Sequence, residues 1–320
     1  MIINNIQVLR AFAAISVVAV HSLLGIQSYG FQSFNKLVFE DFGVDIFFVI
    51  SGFIMVFIQN NYKRNSIDFF IQRVKRILPT YWIYNFLILL LFFLFPLMFN
   101  TLKINFDHFF LSLFFLSQHI ILNKPVIIAG WTLEYEMFFY IIFAIFIIIK
   151  NLKFFYFSIF IFIILLTFAG LINLLFIEFL FGMLIGIIYN YDSKSKKKNL
   201  QNYAHFFLIV GLLIFLGLFF VPLDIHRVVK YGIPAGFVVF GSIYAKQILN
   251  KYIIFIGNAS YSIYLSQAFS IPAILKLFKI FIPNFSIILI FITLLTISTL
   301  FGLFMYYFIE RNVNIQIKNL

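Results

Sequence analysis

An all-α, polytopic membrane helix bundle is the fold class that this sequence predicts, and three observations predict it. Of the 320 residues, 63% are hydrophobic and only 11% are charged, against about 25% charged in an ordinary soluble domain. Fifty phenylalanines are more than one soluble core can surround with a polar shell. Apolar runs of roughly 20 residues, the length that spans a hydrocarbon core, recur along the whole chain. Residues 1–320 therefore read as a single integral membrane domain.

The runs fall at 6–26, 42–60, 77–99, 106–122, 126–149, 154–170, 171–191, 204–222, 228–248, 253–275 and 285–309. The first lacks a basic lead-in and a small-residue cleavage site, so it is expected to be a retained span and not a signal peptide. No appended soluble domain and no internal repeat are expected. The run 106–122 is short and carries Asp107, His108, Gln118 and His119. If it does not span, the cytoplasmic side holds Arg10, Lys63, Arg64, Arg73, Lys75, Arg76, Lys150, Lys153, Lys194, Lys196, Lys197, Lys198, Lys246, Lys251, Arg311 and Lys318. Lys36, Lys103, Lys124, Arg227, Lys230, Lys276 and Lys279 are then outside. If it spans, the Lys194–Lys198 cluster moves outside, against the positive-inside rule. About ten transmembrane helices are expected, with both termini cytoplasmic and 106–122 as a re-entrant or interfacial helix on the outer side.

The same composition excludes several function classes. There is no cysteine, hence no disulfide, thiolate metal site or cysteinyl-acyl intermediate. The net charge of +12 sits in short gaps between apolar runs, which reads as topology and lipid attraction and not as nucleic-acid binding. His108 and His119 have no third ligand at helical spacing, so no metal is expected. No Gly-rich phosphate loop is present, which argues against an ATP-driven pump.

Ionisable residues inside spans are costly and mark function. Arg10 and His21 lie in the first run, LRAFAAISVVAVH. Eleven residues at 100° close to within about 20° of three turns, so both share a face, roughly 16 Å apart along the axis. Arg10 either snorkels to the inner interface or lines a buried path. His21 either bonds a neighbouring helix or accepts a hydroxyl proton near neutral pH. Arg73 and Arg76, in FFIQRVKRILPTYW just before the third run, stand three apart on one helical face and suit phosphate oxygens. A plain positive-inside anchor is the other reading.

Trp131, Glu134 and Glu136 stand in WTLEYEMFFY at the outer end of the fourth span. They fit an interfacial aromatic belt, or a glutamate that orients an imidazole as the acid of a triad does. Asp45, in FGVDIFFVISGF, lies at the outer end of the second span, and Glu178 near the middle of another. Ser51 and Gly52 suggest close helix packing.

In their order, Arg10-x10-His21, GVDIFFVISGF (43–53), RVKRILP (73–79), WTLEYEMFFY (131–140), NASYSIYL (258–265) and FIER (308–311) resemble the acyltransferase-3 family of integral membrane acyltransferases. The resemblance covers the whole chain and implies a ten-span bundle that O-acylates cell-envelope glycans, usually with acetyl from acetyl-CoA. It implies that His21 and Arg10 are the essential pair of the first span. Arg73 and Arg76 would belong to the cytoplasmic Arg-x-x-Arg donor motif, and Glu136 would match the glutamate after the tryptophan motif. The family often carries a histidine after YSIYL, where this chain has Gln267.

Together these readings give an expected mechanism in the cytoplasmic membrane. Arg73 and Arg76 hold the phosphates of acyl-CoA, and His21 takes the proton of a glycan hydroxyl. Glu136 orients His21, Arg10 lines the donor path or stabilises the thioester oxygen, and Asp45, Glu134 and Trp131 face the sugar. A transporter or exporter of a glycan or lipid-linked saccharide is the alternative, and a non-catalytic scaffold is another. Neither turns over a thioester.

Overall fold

The computed structural model of the chain describes residues 3–31, 40–95, 105–121, 123–195, 198–218, 220–221, 223–282 and 286–319. Lys36, Lys103, Lys196 and Lys197, which enter the charge assignment above, lie outside the described residues. The described residues form helices and no strand. In chain order these are α1 (Asn4–Ser28), α2 (Phe42–Tyr62), α3 (Ser66–Leu94), α4 (Phe106–Leu113), α5 (Ser117–Ile120), α6 (Trp131–Phe146) and α7 (Leu152–Phe168). They continue as α8 (Phe176–Ser195), α9 (Ala204–Leu218), α10 (Ile233–Tyr244), α11 (Lys251–Asn258), α12 (Ser260–Phe281), α13 (Ile287–Met305) and α14 (Arg311–Asn319).

Among the described residues, seven helices are long and apolar enough to cross a bilayer: Asn4–Ser28, Phe42–Tyr62, Ser66–Leu94, Ile128–Phe146, Leu200–Leu218, Ser260–Phe281 and Ile287–Ile317. Two shorter apolar helices, Leu152–Phe168 and Val228–Tyr244, accompany them. The chain is a multi-pass membrane protein. The run 106–122 forms only the short α4 and α5.

Asparagine side chains start several of these helices. Asn65 Oδ1 accepts from the Asp68 N–H at 2.8 Å, Asn105 from His108 at 3.1 Å, and Asn151 from Lys153 at 3.0 Å. Each satisfies an N–H that the first helical turn leaves without an intrahelical partner. Asn65 explains why α3 begins at Ser66, eleven residues ahead of the expected 77. Arg73 and Arg76 therefore lie inside α3 and not before it, and Pro79 is within the helix. The expected run 253–275 also needs correction. It is two helices, α11 and α12, separated at Ala259. The expected run 126–149 becomes helical only at Ile128, through a 3-10 turn that ends at Gly130.

The chain packs as two compact units, each assembled from separate segments. Unit 1 is Met1–Val17, Asn35–Phe70 and Phe139–Asn258, and unit 2 is Val18–Phe34, Ile71–Phe138 and Ala259–Leu320. In unit 1, Ile46, Val49, Ile50 and Phe53 of α2 share a core with Ala235, Val238 and Val239 of α10. α2 also lies against α8 at very short range. A Cβ at Gly52 would strike the Phe179 carbonyl oxygen, and one at Gly182 the Val49 carbonyl oxygen. These reciprocal glycines let two backbones touch, as the small residues of membrane helix pairs do. The end of α10 is closed by Asn5, whose Nδ2 donates to Ser242 O at 2.7 Å and whose Oδ1 accepts from Ile248 N at 2.8 Å. In unit 2, Ile26 meets Ile271 and Leu275 of α12 and Ile290 and Leu294 of α13.

Candidate functional site

Unit 2 gathers four of the sequence segments singled out above. α3 presents a buried stripe of Arg73, Ile77, Thr80, Tyr81, Tyr84 and Ile88, which is the i, i+4, i+7, i+8 spacing of one helix face. The Tyr261 hydroxyl of α12 donates to the Ile77 carbonyl at 3.0 Å. The Tyr81 ring lies against Gly130, at which a Cβ would stand 2.7 Å from its hydroxyl. Thr132, just inside α6, shares a 2.9 Å hydrogen bond with the Tyr264 hydroxyl. Glu310, in a π-helical turn over Tyr306–Glu310, accepts from the Ser262 N–H at 3.1 Å and from its hydroxyl at 2.6 Å. The segments RVKRILP, WTLEYE, NASYSIYL and FIER, far apart in sequence, thus converge in one interior.

That interior is polar without being charge-saturated. Thr80 Oγ1, Ser260 Oγ and Gln267 Oε1 are buried and have no hydrogen-bond partner among the described residues, and the buried hydroxyls of Tyr81 and Tyr84 have Asn85 and Ser262 within reach. Buried polar atoms are normally paired, and these all lie on α3 and α12. Tyr261 lies within electrostatic reach of Glu136, Glu310, Tyr81 and Tyr84. Glu136, half-buried on α6, therefore belongs to this phenol-rich interior.

The other expected site residues fall as follows. α1 is one continuous helix over Arg10 and His21, so the shared face holds along it. Both residues are half-buried, and the Arg10 Nη1 donates to Gln7 Oε1 at 3.4 Å. His21 belongs to the segment of α1 that lies in unit 2, Arg10 to the segment in unit 1. Arg73 and Arg76 do not share one environment. Arg73 is 6% exposed, whereas Arg76 and its neighbour Lys75 are exposed. The physical reason is angular: three residues advance 300° around a helix, so Arg76 sits at the edge of the buried stripe that Arg73 heads.

Glu134 is buried, and both of its oxygens are engaged. Oε1 accepts from Ser117 N at 3.2 Å and Oε2 from Gln118 N at 2.9 Å. The Gln118 Nε2 also donates to the Trp131 carbonyl at 3.0 Å. Glu134 and Trp131 thereby clamp the short α5 to the start of α6. Gln267 is 3% exposed, and its Nε2 donates to Tyr264 O at 2.8 Å. Among the described residues no group of three His, Cys, Asp or Glu side chains is placed to hold a metal ion.

Asp45 belongs to unit 1, and its partner lies far away along the chain. Arg227 reaches it across 182 positions, Nε to Oδ1 at 3.1 Å and Nη2 to Oδ2 at 2.8 Å, while Nη2 also donates to the Asp41 carbonyl at 2.9 Å. Burial opposes the Arg227 charge, but Asp45 outweighs it and holds the guanidinium above its ordinary range. Glu178, 0% exposed, lies within electrostatic reach of this pair and packs against Gly232, where a Cβ would fall 3.0 Å from Oε1. The π-helical turn Val228–Gly232 carries Lys230, whose Nζ binds Glu40 Oε1 at 2.6 Å. The only sequence signal for this cluster was that each charge stood in or beside an apolar run.

The described residues make an all-helical, multi-pass membrane protein with buried titratable groups, a class that the fold alone defines. Within that class the family is decided by comparison. The acyltransferase domain family matches residues 3–307, and the chain belongs to this acyltransferase-3 family. A similar relative is the "Exopolysaccharide production protein ExoZ" of Rhizobium meliloti (strain 1021), 39% identical over 107 residues. That segment is 32% of this chain and 32% of the relative, so the likeness spans about a third of each. No solved structure matches the chain.

Proposed function

We propose that this protein is an O-acyltransferase of the cytoplasmic membrane, an O-acetyltransferase by preference, that moves an acyl group from cytoplasmic acyl-CoA to a hydroxyl of a cell-envelope carbohydrate outside. The observation that carries this reading is the convergence of the RVKRILP, WTLEYE, NASYSIYL and FIER segments on one polar interior in unit 2. Family membership supports the transferase chemistry, and the exopolysaccharide production protein of Rhizobium supports a polysaccharide context.

The residues present fit a phosphate-bearing donor. Exposed Arg76 and Lys75 beside buried Arg73 offer guanidinium and ammonium groups at one turn of α3, and guanidinium forks suit phosphate oxygens. In the proposed reaction the acceptor oxygen attacks the thioester carbonyl, the C–S bond breaks, and the hydroxyl proton passes by way of His21 to the departing thiolate. Glu136 orients His21, and Arg10 lines the donor path or steadies the charge that develops on the thioester oxygen. Glu134 and Trp131 shape the acceptor side by holding α5 in place, and Asp45 acts through the packing of unit 1.

The test is acyl-transfer chemistry by the purified protein. With labelled acetyl-CoA and envelope glycan, release of free CoA matched by label in the glycan is expected. Mass spectrometry of envelope glycans with and without the gene should show the corresponding acyl mass lost. Glycan movement across vesicles without CoA release would establish a transporter instead.

A further inference from the structure

Unit 1 carries a groove of about 590 Å³ between α7 and α8, within the range of about 300–1,000 Å³ typical of pockets that bury small ligands. Its walls are apolar, with Phe157 on α7 and Leu184 on α8 among them, but one end is not. There Lys153, Asn60, Asn190 and Tyr156 meet. The end is defined by three helix termini: Lys153 is in the first turn of α7, Asn60 near the end of α2, and Asn190 near the end of α8. Leu184 lies six residues further along α8, so the apolar part descends roughly 9 Å from the polar rim.

The rim is a set of donors. Asn60 Nδ2 gives one hydrogen to Val56 O at 3.1 Å, and Asn190 Nδ2 one to Gly186 O at 2.8 Å. An amide nitrogen has two, which leaves Asn190 with another to give, whereas Asn60 lies within hydrogen-bonding reach of the Tyr156 hydroxyl. That hydroxyl is buried and keeps its own proton to donate. Lys153 is exposed and brings a full positive charge. Lys150, Lys194, Lys196, Lys197 and Lys198 stand next to the same helix ends in sequence. An ammonium, an amide and a phenol above an apolar trough match a negatively charged head with a hydrocarbon tail.

We propose that this groove is a binding site for one anionic phospholipid, with an acyl tail along Phe157 and Leu184 and the phosphate at Lys153, Asn190 and the Tyr156 hydroxyl that Asn60 holds. In a bilayer the apolar walls confer no preference of their own, because lipid tails are as apolar as leucine. Selection must come from the rim, where a basic side chain near the membrane surface favours anionic lipid about fivefold. The proposal rests on membrane embedding and on unit 1 alone, so it stands or falls independently of acyl transfer.

The test is native mass spectrometry of the full chain released from vesicles of equal phosphatidylglycerol and phosphatidylcholine. One phosphatidylglycerol should be retained in preference to phosphatidylcholine. Lys153→Gln should reduce that preference about fivefold, Lys153→Arg should keep it, and Tyr156→Phe should weaken it. Leu184→Trp, which fills the trough at a lipid-exposed position, should abolish retention in protein that still elutes as a single species. Equal retention of the two lipids by the unaltered protein, or phosphatidylglycerol retention unchanged in Lys153→Gln, would overturn the site. If Leu184→Trp aggregates, the Lys153 pair decides the question.

Discussion

Both units leave buried polar atoms without partners, Gln59 Oε1 and the Tyr244 hydroxyl in unit 1 and Thr80 Oγ1 and Ser260 Oγ in unit 2, but unit 1 also ties buried charges into ion pairs. In unit 1 the Asp45 carboxylate is gripped on both oxygens by Arg227, and Lys230 is paired with Glu40. In unit 2 the buried groups around α3 and α12 are mainly hydroxyls and amides, and Thr80, Ser260 and Gln267 each leave an atom without a partner. A charge removed from water must be compensated on the spot, so unit 1 uses its ionic groups to fix helices to one another. Neutral hydroxyls can stay unpaired at smaller cost. A charged residue inside a span is thus not by itself a catalytic one, as the Asp45–Arg227 pair illustrates.

Three substitutions would break or sharpen that contrast. The largest effect on folding belongs to unit 1. Arg227→Ala leaves Asp45 buried and uncompensated, which should cost about 3–5 kcal/mol and lower the thermal midpoint of the detergent-solubilised protein. Asp45→Asn combined with Arg227→Gln should recover much of that loss. If Arg227→Ala melts with the unaltered protein, the ion pair does not fasten unit 1. A smaller effect is expected in unit 2 at the donor residues. Arg76→Ala removes an exposed guanidinium and should raise the KM for acyl-CoA about tenfold, the worth of one charge-assisted hydrogen bond, with kcat retained. Steady-state kinetics with an unchanged KM would remove Arg76 from the donor site. Smallest is Tyr261→Phe, which deletes the hydroxyl bound to the Ile77 carbonyl. It should cost about 1 kcal/mol of stability, and a melting curve with no shift would show that this link between α12 and α3 carries no energy.

Much of the fold was legible because hydropathy in a bilayer is a strong local signal. α1, α2 and α13 lie close to the expected runs, and the failure of 106–122 to form a long helix followed from its polar residues. What was missed depends on finer chemistry. The break at Ala259 is hidden because apolar residues continue through it. The early start of α3 was marked by Asn65 three residues before Asp68, a capping pattern that outweighs the lower hydropathy of the first turns. The convergence of RVKRILP, WTLEYE, NASYSIYL and FIER was not expected, because the bonds that make it, Tyr261 to Ile77 and Ser262 to Glu310, join positions too distant for periodicity to reveal. The Arg227 partner of Asp45 was invisible for the same reason, since positive charge at a span end reads first as topology.

The account stands most directly on His21. Purified, folded His21→Ala should lose on the order of 10²- to 10⁴-fold in acyl transfer from labelled acetyl-CoA to glycan, the usual worth of a general base, with a melting curve like that of the unaltered protein. Full transfer by that variant would contradict the proposal that His21 is the base of an acyl transfer.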